Sequence, residues 1–157
     1  TRAADVLSVP LANITGFTAA GYTLFADGRH DVNTSINRGA CAVSDNTANN
    51  IVALRKSAAN AVGMACNSGG VSQAAITMSD PLPNRFKAAT SAAENSFRMA
   101  LSGVAGAVDT SGSMPVSPTI MYIGSQSTVE QFNGFIFRVG LIPQALTQAQ
   151  LNALTVV

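Results

Sequence analysis

The sequence predicts an all-β protein, a two-sheet antiparallel sandwich with one short C-terminal helix. Three observations predict it. Short β-like runs recur along the chain, separated by turn chemistry such as Asp27-Gly28, Asp45-Asn46, Asn49-Asn50 and Ser68-Gly69-Gly70, the spacing of a sandwich or barrel. Arg85, Lys87 and Arg98 alternate with Phe86, Phe97, Met99 and Leu101, the period-two pattern of half-buried strands. Strong helix-start chemistry occurs once, near the C-terminus.

In chain order the predicted strands are Gly21 to Ala26, Gly39 to Val43, Asn50 to Lys56, Ala61 to Cys66 and Gln73 to Met78. Each is a short apolar run bounded by Gly, Asn, Asp or Ser. Arg85 to Thr90, Ser96 to Leu101, Thr119 to Gly124 and Gly134 to Ile142 continue the series. Between them, Gly103 to Pro118 is rich in Gly, Ser and Pro and reads as a long loop with room for a short strand around Val108; Pro115 and Pro118 exclude a central strand there. Asn133-Gly134 predicts a hairpin turn before the last strand, because both residues tolerate positive φ. After it, Thr147 is a good N-cap with Gln150 three residues on, and Leu146 and Leu151 sit at the staple positions. The helix is expected to run to about Leu154 and to dock on the sandwich through Leu151 and Leu154.

At 157 residues the chain has the size of one domain, residues 1–157, with enough length to bury a core without staples. Charged residues are 11% of the chain and the formal net charge is +1, so there is no electrostatic footprint for nucleic acid or an anionic membrane. No stretch approaches the roughly 20 apolar residues of a spanning helix. Thr1 opens the chain without a basic n-region and apolar h-region, which reads as the C-terminal part of a longer chain. Cys41 and Cys66 lack metal-ligand spacing. A strand is expected between them, which puts them roughly 9 to 10 Å apart and favours buried thiols over a disulfide.

The order "FNGFIFRVGLIPQALTQAQLNAL" resembles the closing strand and terminal helix of concanavalin A-like (laminin G-like) jelly-roll domains, with their pattern NG-x-I-x-x-V-x-I-Y-x-x-A-L-T/S. "TIMYIGS" with "ENSFRMALSG" resembles that family's preceding strands. "TRAADVLSV" with "GYTLFADGR" resembles its opening strands as they occur at the ends of phage tail-fibre and spike proteins. The resemblance covers nearly the whole chain. It implies a noncatalytic, lectin-like module of a phage or phage-like appendage, at the virion surface or otherwise extracellular. Its partners would be host cell-surface polysaccharide or other virion proteins, and its oligomer a trimer. The alternative is a purely structural capping or trimerisation module without ligand. A polysaccharide-degrading enzyme stands behind both.

Relatives often carry charged residues where this chain has Phe137, Gly140 and Ile142. Two readings follow. These side chains either fill a core lined by the long loop before Thr119, or Phe135, Phe137 and Ile142 face another copy.

Catalytic chemistry is thin. The single histidine, His30, lies beside Asp27 and Asp31, a setting more typical of a solvated or capping residue than of a base. Glu94 and Glu130 are isolated, and no E-x-D-x-x-E arrangement supplies a carboxylate pair. Asp45, Asn46 and Asn49, or Asp27 and Asp31, offer oxygens to Ca²⁺, although turn formation accounts for them as well. No other cofactor is expected: phosphate-loop, Rossmann and zinc patterns are missing. For sugar binding, Trp is absent, and Tyr22, Tyr122 and Phe17 are the candidate stacking aromatics. The predicted carbohydrate rim is Tyr22 with the turns Arg29, His30, Asp31, Asn33 and Asp45, Asn46, Asn49, because loops on a rigid scaffold carry recognition.

Overall fold

A computed structural model describes residues 6–30, 37–58, 61–79, 85–127 and 130–157. Its strands are β1 (Leu7–Pro10), β2 (Gly21–His30), β3 (Arg38–Ser44), β4 (Ile51–Ala58), β5 (Ala61–Ser68), β6 (Val71–Ser79), β7 (Arg85–Ala93), β8 (Ser96–Leu101), β9 (Val104–Asp109), β10 (Ile120–Ile123) and β11 (Gly134–Ile142). A 3₁₀ turn (Leu11–Asn13) follows β1, and the helix α1 spans Gln148–Thr155. Two antiparallel sheets stack as a jelly-roll sandwich. The six-stranded sheet has the order β1-β10-β3-β4-β5-β6 and the five-stranded sheet β11-β2-β7-β8-β9. No helix among the described residues is long and apolar enough to cross a membrane.

Strand alternation decides what goes inside. On β2, Tyr22, Leu24 and Ala26 point inward; on β7 and β8, Phe86, Ala88, Phe97, Met99 and Leu101 do. They meet Cys41, Val43, Val52, Leu54, Val62, Met64, Cys66 and Ile76 from the six-stranded sheet. Apolar area removed from water at about 25 cal/mol per Å² makes this layer the main stabilising term. Cys41 on β3 and Cys66 on β5 are free, buried thiols separated by β4, as their spacing predicts. Burial pushes both thiols up to about 12; the Glu94 charge adds to the rise at Cys66.

Three expectations change, the first only in extent. The short strand expected around Val108 is present and runs over Val104–Asp109 as the edge strand β9, paired in register Leu101↔Val104 and Arg98↔Val108, so the loop is shorter than its composition suggests. Asn133-Gly134 makes no hairpin. β11 pairs with β2, in the other sheet from the preceding β10, and the segment between them crosses over. Gly134 is needed there because a Cβ would lie 2.0 Å from the Arg29 carbonyl oxygen and 2.7 Å from the His30 Cα. Thirdly, Phe137 does not lie in a core behind the long loop. It is 54% exposed, on an edge strand whose register shifts between Ile136 and Arg138, while the long loop runs at the other edge of the sandwich. There the Ser68 hydroxyl donates to the Met114 carbonyl and the Ser113 amide donates to the Gln73 side chain.

The helix forms as its cap predicts. The Thr147 hydroxyl accepts from the Gln150 amide while the Gln150 side chain accepts from the Thr147 amide, a capping box worth about 1 kcal/mol. Leu151 is fully buried between Ala89 and Ala100, with Phe25, Leu146 and Leu154 around it. Alanines on this outer surface of β7 and β8 let the helix approach closely. Only part of the five-stranded sheet is covered in this way, since α1 packs on β7, β8 and β9 and not on β11.

Candidate functional site

The predicted rim does not assemble. β2 ends at His30 and β3 returns from Arg38 to Ser44, so Arg29 and His30 lie at one end of the sandwich. Asp45, Asn46 and Asn49 lie at the other, roughly 20 Å away at about 3.3 Å per residue. Asp31 and Asn33 fall outside the described residues. Tyr22 is a correction: it is completely buried, its ring packs 5.3 Å from that of Phe17, and no surface sugar reaches it. His30 is also buried, on the inward phase of β2, whereas Asp27 faces the opposite side and lies 3.8 Å from Arg85. These two cannot act as a base and its orienting carboxylate. Arg29 is exposed and stacks on Phe135.

Asp45 organises its own loop. Its carboxylate accepts from the Thr47 amide (3.0 Å), the Thr47 hydroxyl (2.6 Å) and the Asn50 amide group (2.8 Å). Slight desolvation opposes ionisation, but these bonds outweigh it and hold the carboxyl below its usual range. Among the described residues no three His, Cys, Asp or Glu side chains gather as a metal site would need. Glu94 accepts from the Met114 amide in the β7–β8 turn, while Glu130 lies beside β3 at the opposite end. They face no common groove.

A different site emerges on the outer face of the six-stranded sheet, where no described strand or helix packs. Its floor is small. The register Arg55↔Gly63 and Ala53↔Ala65 sets Ala53, Gly63 and Ala65 side by side, with Ala75 beyond them on β6. Over one end lie residues 124–127 and 130–132. They are pinned by the Gly124 amide to the Ala40 carbonyl (2.8 Å), the Gly39 amide to the Glu130 carbonyl (3.0 Å) and the Phe132 amide to the Gly124 carbonyl (2.7 Å). Gly39 permits this: a Cβ there would fall 2.2 Å from the Gln126 nitrogen and 2.3 Å from the Ser125 carbonyl carbon.

This corner concentrates unused polar capacity. Arg55 Nε, Ser57 Oγ, Ser125 Oγ and Gln126 Oε1 are all buried without a hydrogen-bond partner. Gly63 ties the first two together, since it pairs with Arg55 and its Cβ position is 3.4 Å from Ser57 Oγ and 3.2 Å from Thr77 Oγ1. Burial pulls the Arg55 guanidinium below its ordinary pKa, and the nearby Glu130 charge works against that shift. It stays charged nonetheless. Each unsatisfied buried group costs about 1 to 3 kcal/mol, and native proteins leave few of them. The corner therefore gathers guanidinium and hydroxyl donors and an amide acceptor just beneath the surface, beside a floor of small, buried residues. At the far end of the same face, the Tyr122 hydroxyl donates to Asn46 Oδ1, so one of the predicted rim residues does border it.

Sequence reasoning missed Arg55, Ser57, Ser125 and Gln126. A signal existed only for Arg55, a charge inside the apolar run "NIVALRK" with Ala53 on its own face. Ser125 and Gln126 belong to a loop whose landing place only the fold decides.

No protein-family model and no curated protein matches this sequence. Solved structures do match in fold. The carbohydrate-binding module CBM40 of the Ruminococcus gnavus IT-sialidase, solved with α2,3-sialyllactose, superposes with a TM-score of 0.72 at 15% identity, covering 97% of this chain and 93% of that one. The NanB sialidase of Streptococcus pneumoniae gives 0.70 at 11% identity; 96% of this chain is covered, and it spans 26% of that enzyme. A heptameric SAP-like pentraxin from Limulus polyphemus gives 0.65 at 12% identity, covering 85% of this chain and 68% of that one. At such identities the likeness establishes the lectin-like jelly-roll fold.

Proposed function

We propose that this chain is a noncatalytic glycan-binding module whose primary site is the shelf formed by Arg55, Ser57, Ser125 and Gln126. The observation that carries the reading is the group of four buried polar atoms without hydrogen-bond partners, Arg55 Nε, Ser57 Oγ, Ser125 Oγ and Gln126 Oε1, at one corner of a face floored by small residues. A saccharide has the complementary chemistry: hydroxyl groups that both donate and accept, on a ring thin enough for an Ala/Gly floor. The neighbouring CBM40 solved with α2,3-sialyllactose, and again with α2,6-sialyllactose, supports a carbohydrate partner and makes sialylated glycans the first ligands to try.

The sequence resemblance to the ends of phage tail-fibre and spike proteins supports a finer reading, in which the module sits on a virion appendage, outside the cell, and contributes to host-surface attachment. Several copies on one appendage would raise the avidity of a weak single site. Purely structural trimerisation through Phe135, Phe137 and Ile142 is the rival role. Against it, the face beside the two phenylalanines sets Arg29, Arg85 and Arg138 against Asp27, so self-contact would oppose like charges.

A glycan array followed by calorimetry tests the primary site. The expected result is binding to one saccharide class, weakened at least tenfold in Arg55→Ala and in Gln126→Ala, with the urea midpoint unchanged or raised because an unsatisfied group has been removed. An oligomeric protein silent across the array would favour the structural role. Release of reducing ends from a bound polysaccharide would refute the noncatalytic assignment.

A further inference from the structure

The outer face of the five-stranded sheet carries a second surface, on the opposite side of the sandwich from the shelf. On the edge strand β11, Phe135 and Phe137 are 53% and 54% exposed. Each is accompanied by its own arginine. The Arg29 guanidinium lies 5.0 Å from the Phe135 ring centre and the Arg85 guanidinium 5.6 Å from that of Phe137, both within cation–π range. Arg138 is exposed and pairs in register with Asp27, which places it on the same face. Among the described residues this face thus carries the guanidinium groups of Arg29, Arg85 and Arg138 and the carboxylate of Asp27, which lies 3.8 Å from Arg85. Helix α1 occupies the β7–β9 part of this face and no described element covers the rest.

We propose that this surface binds an acidic polysaccharide whose sugars carry carboxylates, as a site separate from the shelf around Arg55. Two chemistries must be matched together. A planar guanidinium takes a carboxylate through paired hydrogen bonds, and an exposed phenyl ring packs against the C–H face of a pyranose. The pairing occurs twice in succession. Phe135 and Phe137 are about 6 to 7 Å apart along the strand, so one polymer lying along β11 reaches both Phe–Arg pairs, and the second contact forms at high effective concentration. A second copy of this chain is disfavoured because it brings arginines against arginines. The +1 net charge and this compact cluster also fall short of the extended basic footprint of a nucleic-acid binder.

The test is affinity electrophoresis of the 157-residue chain in gels containing hyaluronan, dextran or dextran sulfate, with light scattering over a concentration series. Hyaluronan retards the wild type and dextran does not. The double variants Phe135→Ala/Phe137→Ala and Arg29→Gln/Arg138→Gln each weaken retardation at least tenfold at an unchanged urea midpoint, while Val71→Ala, at an exposed position on β6 outside both surfaces, behaves as wild type. Because the glycan array with its Arg55→Ala variant reads the shelf and the double variants read this face, failure of one site is distinguishable from failure of the other. Absence of hyaluronan retardation, or retardation that survives both double variants, would overturn the inference. So would stronger retention by dextran sulfate, the mark of unselective charge attraction. Concentration-dependent oligomers abolished by Phe135→Ala/Phe137→Ala would instead make the surface a subunit contact.

Discussion

Replacing Gly39 by Ala couples the fold to the proposed shelf. The backbone at Gly39 runs directly beneath Ser125 and Gln126, and the added methyl would sit 2.2 Å from the Gln126 nitrogen, 2.3 Å from the Ser125 carbonyl carbon and 2.7 Å from the Ser125 carbonyl oxygen. All three are backbone atoms, which cannot rotate away as a side chain would. Relief requires these two residues to lift from β3. Overpacking of this kind costs about 1 to 3 kcal/mol. Lifting also strains the bonds from the Gly39 amide to Glu130 and from the Gly124 amide to Ala40, each worth about 0.5 to 1.5 kcal/mol. The expected loss is about 2 to 6 kcal/mol in urea unfolding, together with loss of glycan binding, because Ser125 and Gln126 move off the shelf. Gly140→Ala is the control: nothing lies within 4 Å of its Cβ position, and its stability should stay within about 0.5 kcal/mol of wild type. A Gly39→Ala protein within about 0.5 kcal/mol of wild type that still binds the same glycan would refute both the close approach of Ser125 and Gln126 and their part in the site.

Two further predictions concern buried groups. Tyr22→Phe should leave stability unchanged or raise it by about 1 kcal/mol in urea unfolding, since the buried hydroxyl has no partner and its removal leaves nothing unsatisfied; weakened glycan binding in this variant would restore Tyr22 to the rim. Cys41 and Cys66, held at about 12 in the fold, titrate near 8.5 when unfolded. Their protonated, buried state is favoured most below pH 8.5, and the advantage disappears as pH rises towards 12. Between those limits stability should fall by about 1.4 kcal/mol per pH unit for each thiol. Urea midpoints measured from pH 8 to 10.5 for wild type and Cys41→Ala/Cys66→Ala check this, and parallel slopes for the two proteins would contradict it.

Much of the architecture was legible along the chain because a strand's side chains alternate with period two. Arg85 to Leu101 announced two half-buried strands, and Thr147 with Gln150 announced the helix start. β9 was legible only as a short strand around Val108; its full extent was obscured because "GVAGAV" lacks the bulky residues that mark a strand, and its ladder comes from lying next to β8. Asn133-Gly134 misled for a related reason. An Asn-Gly pair has the conformational freedom of a hairpin, yet here the glycine serves a close backbone approach to Arg29 and His30. Tyr22 and His30 were misplaced among rim residues although both fall on the inward phase of β2.

By itself the sequence determined the all-β class, the capped terminal helix and the separation of the two thiols, since each follows from local pattern or from spacing along neighbouring strands. Tertiary structure alone decided where chemistry gathers. It sent the two predicted polar turns to opposite ends of the sandwich, laid Ser125 and Gln126 over Gly39, and left Phe135 and Phe137 outside beside Arg29 and Arg85. Contacts of that kind join residues tens of positions apart, and they depend on which strands become neighbours and which glycines let two backbones touch.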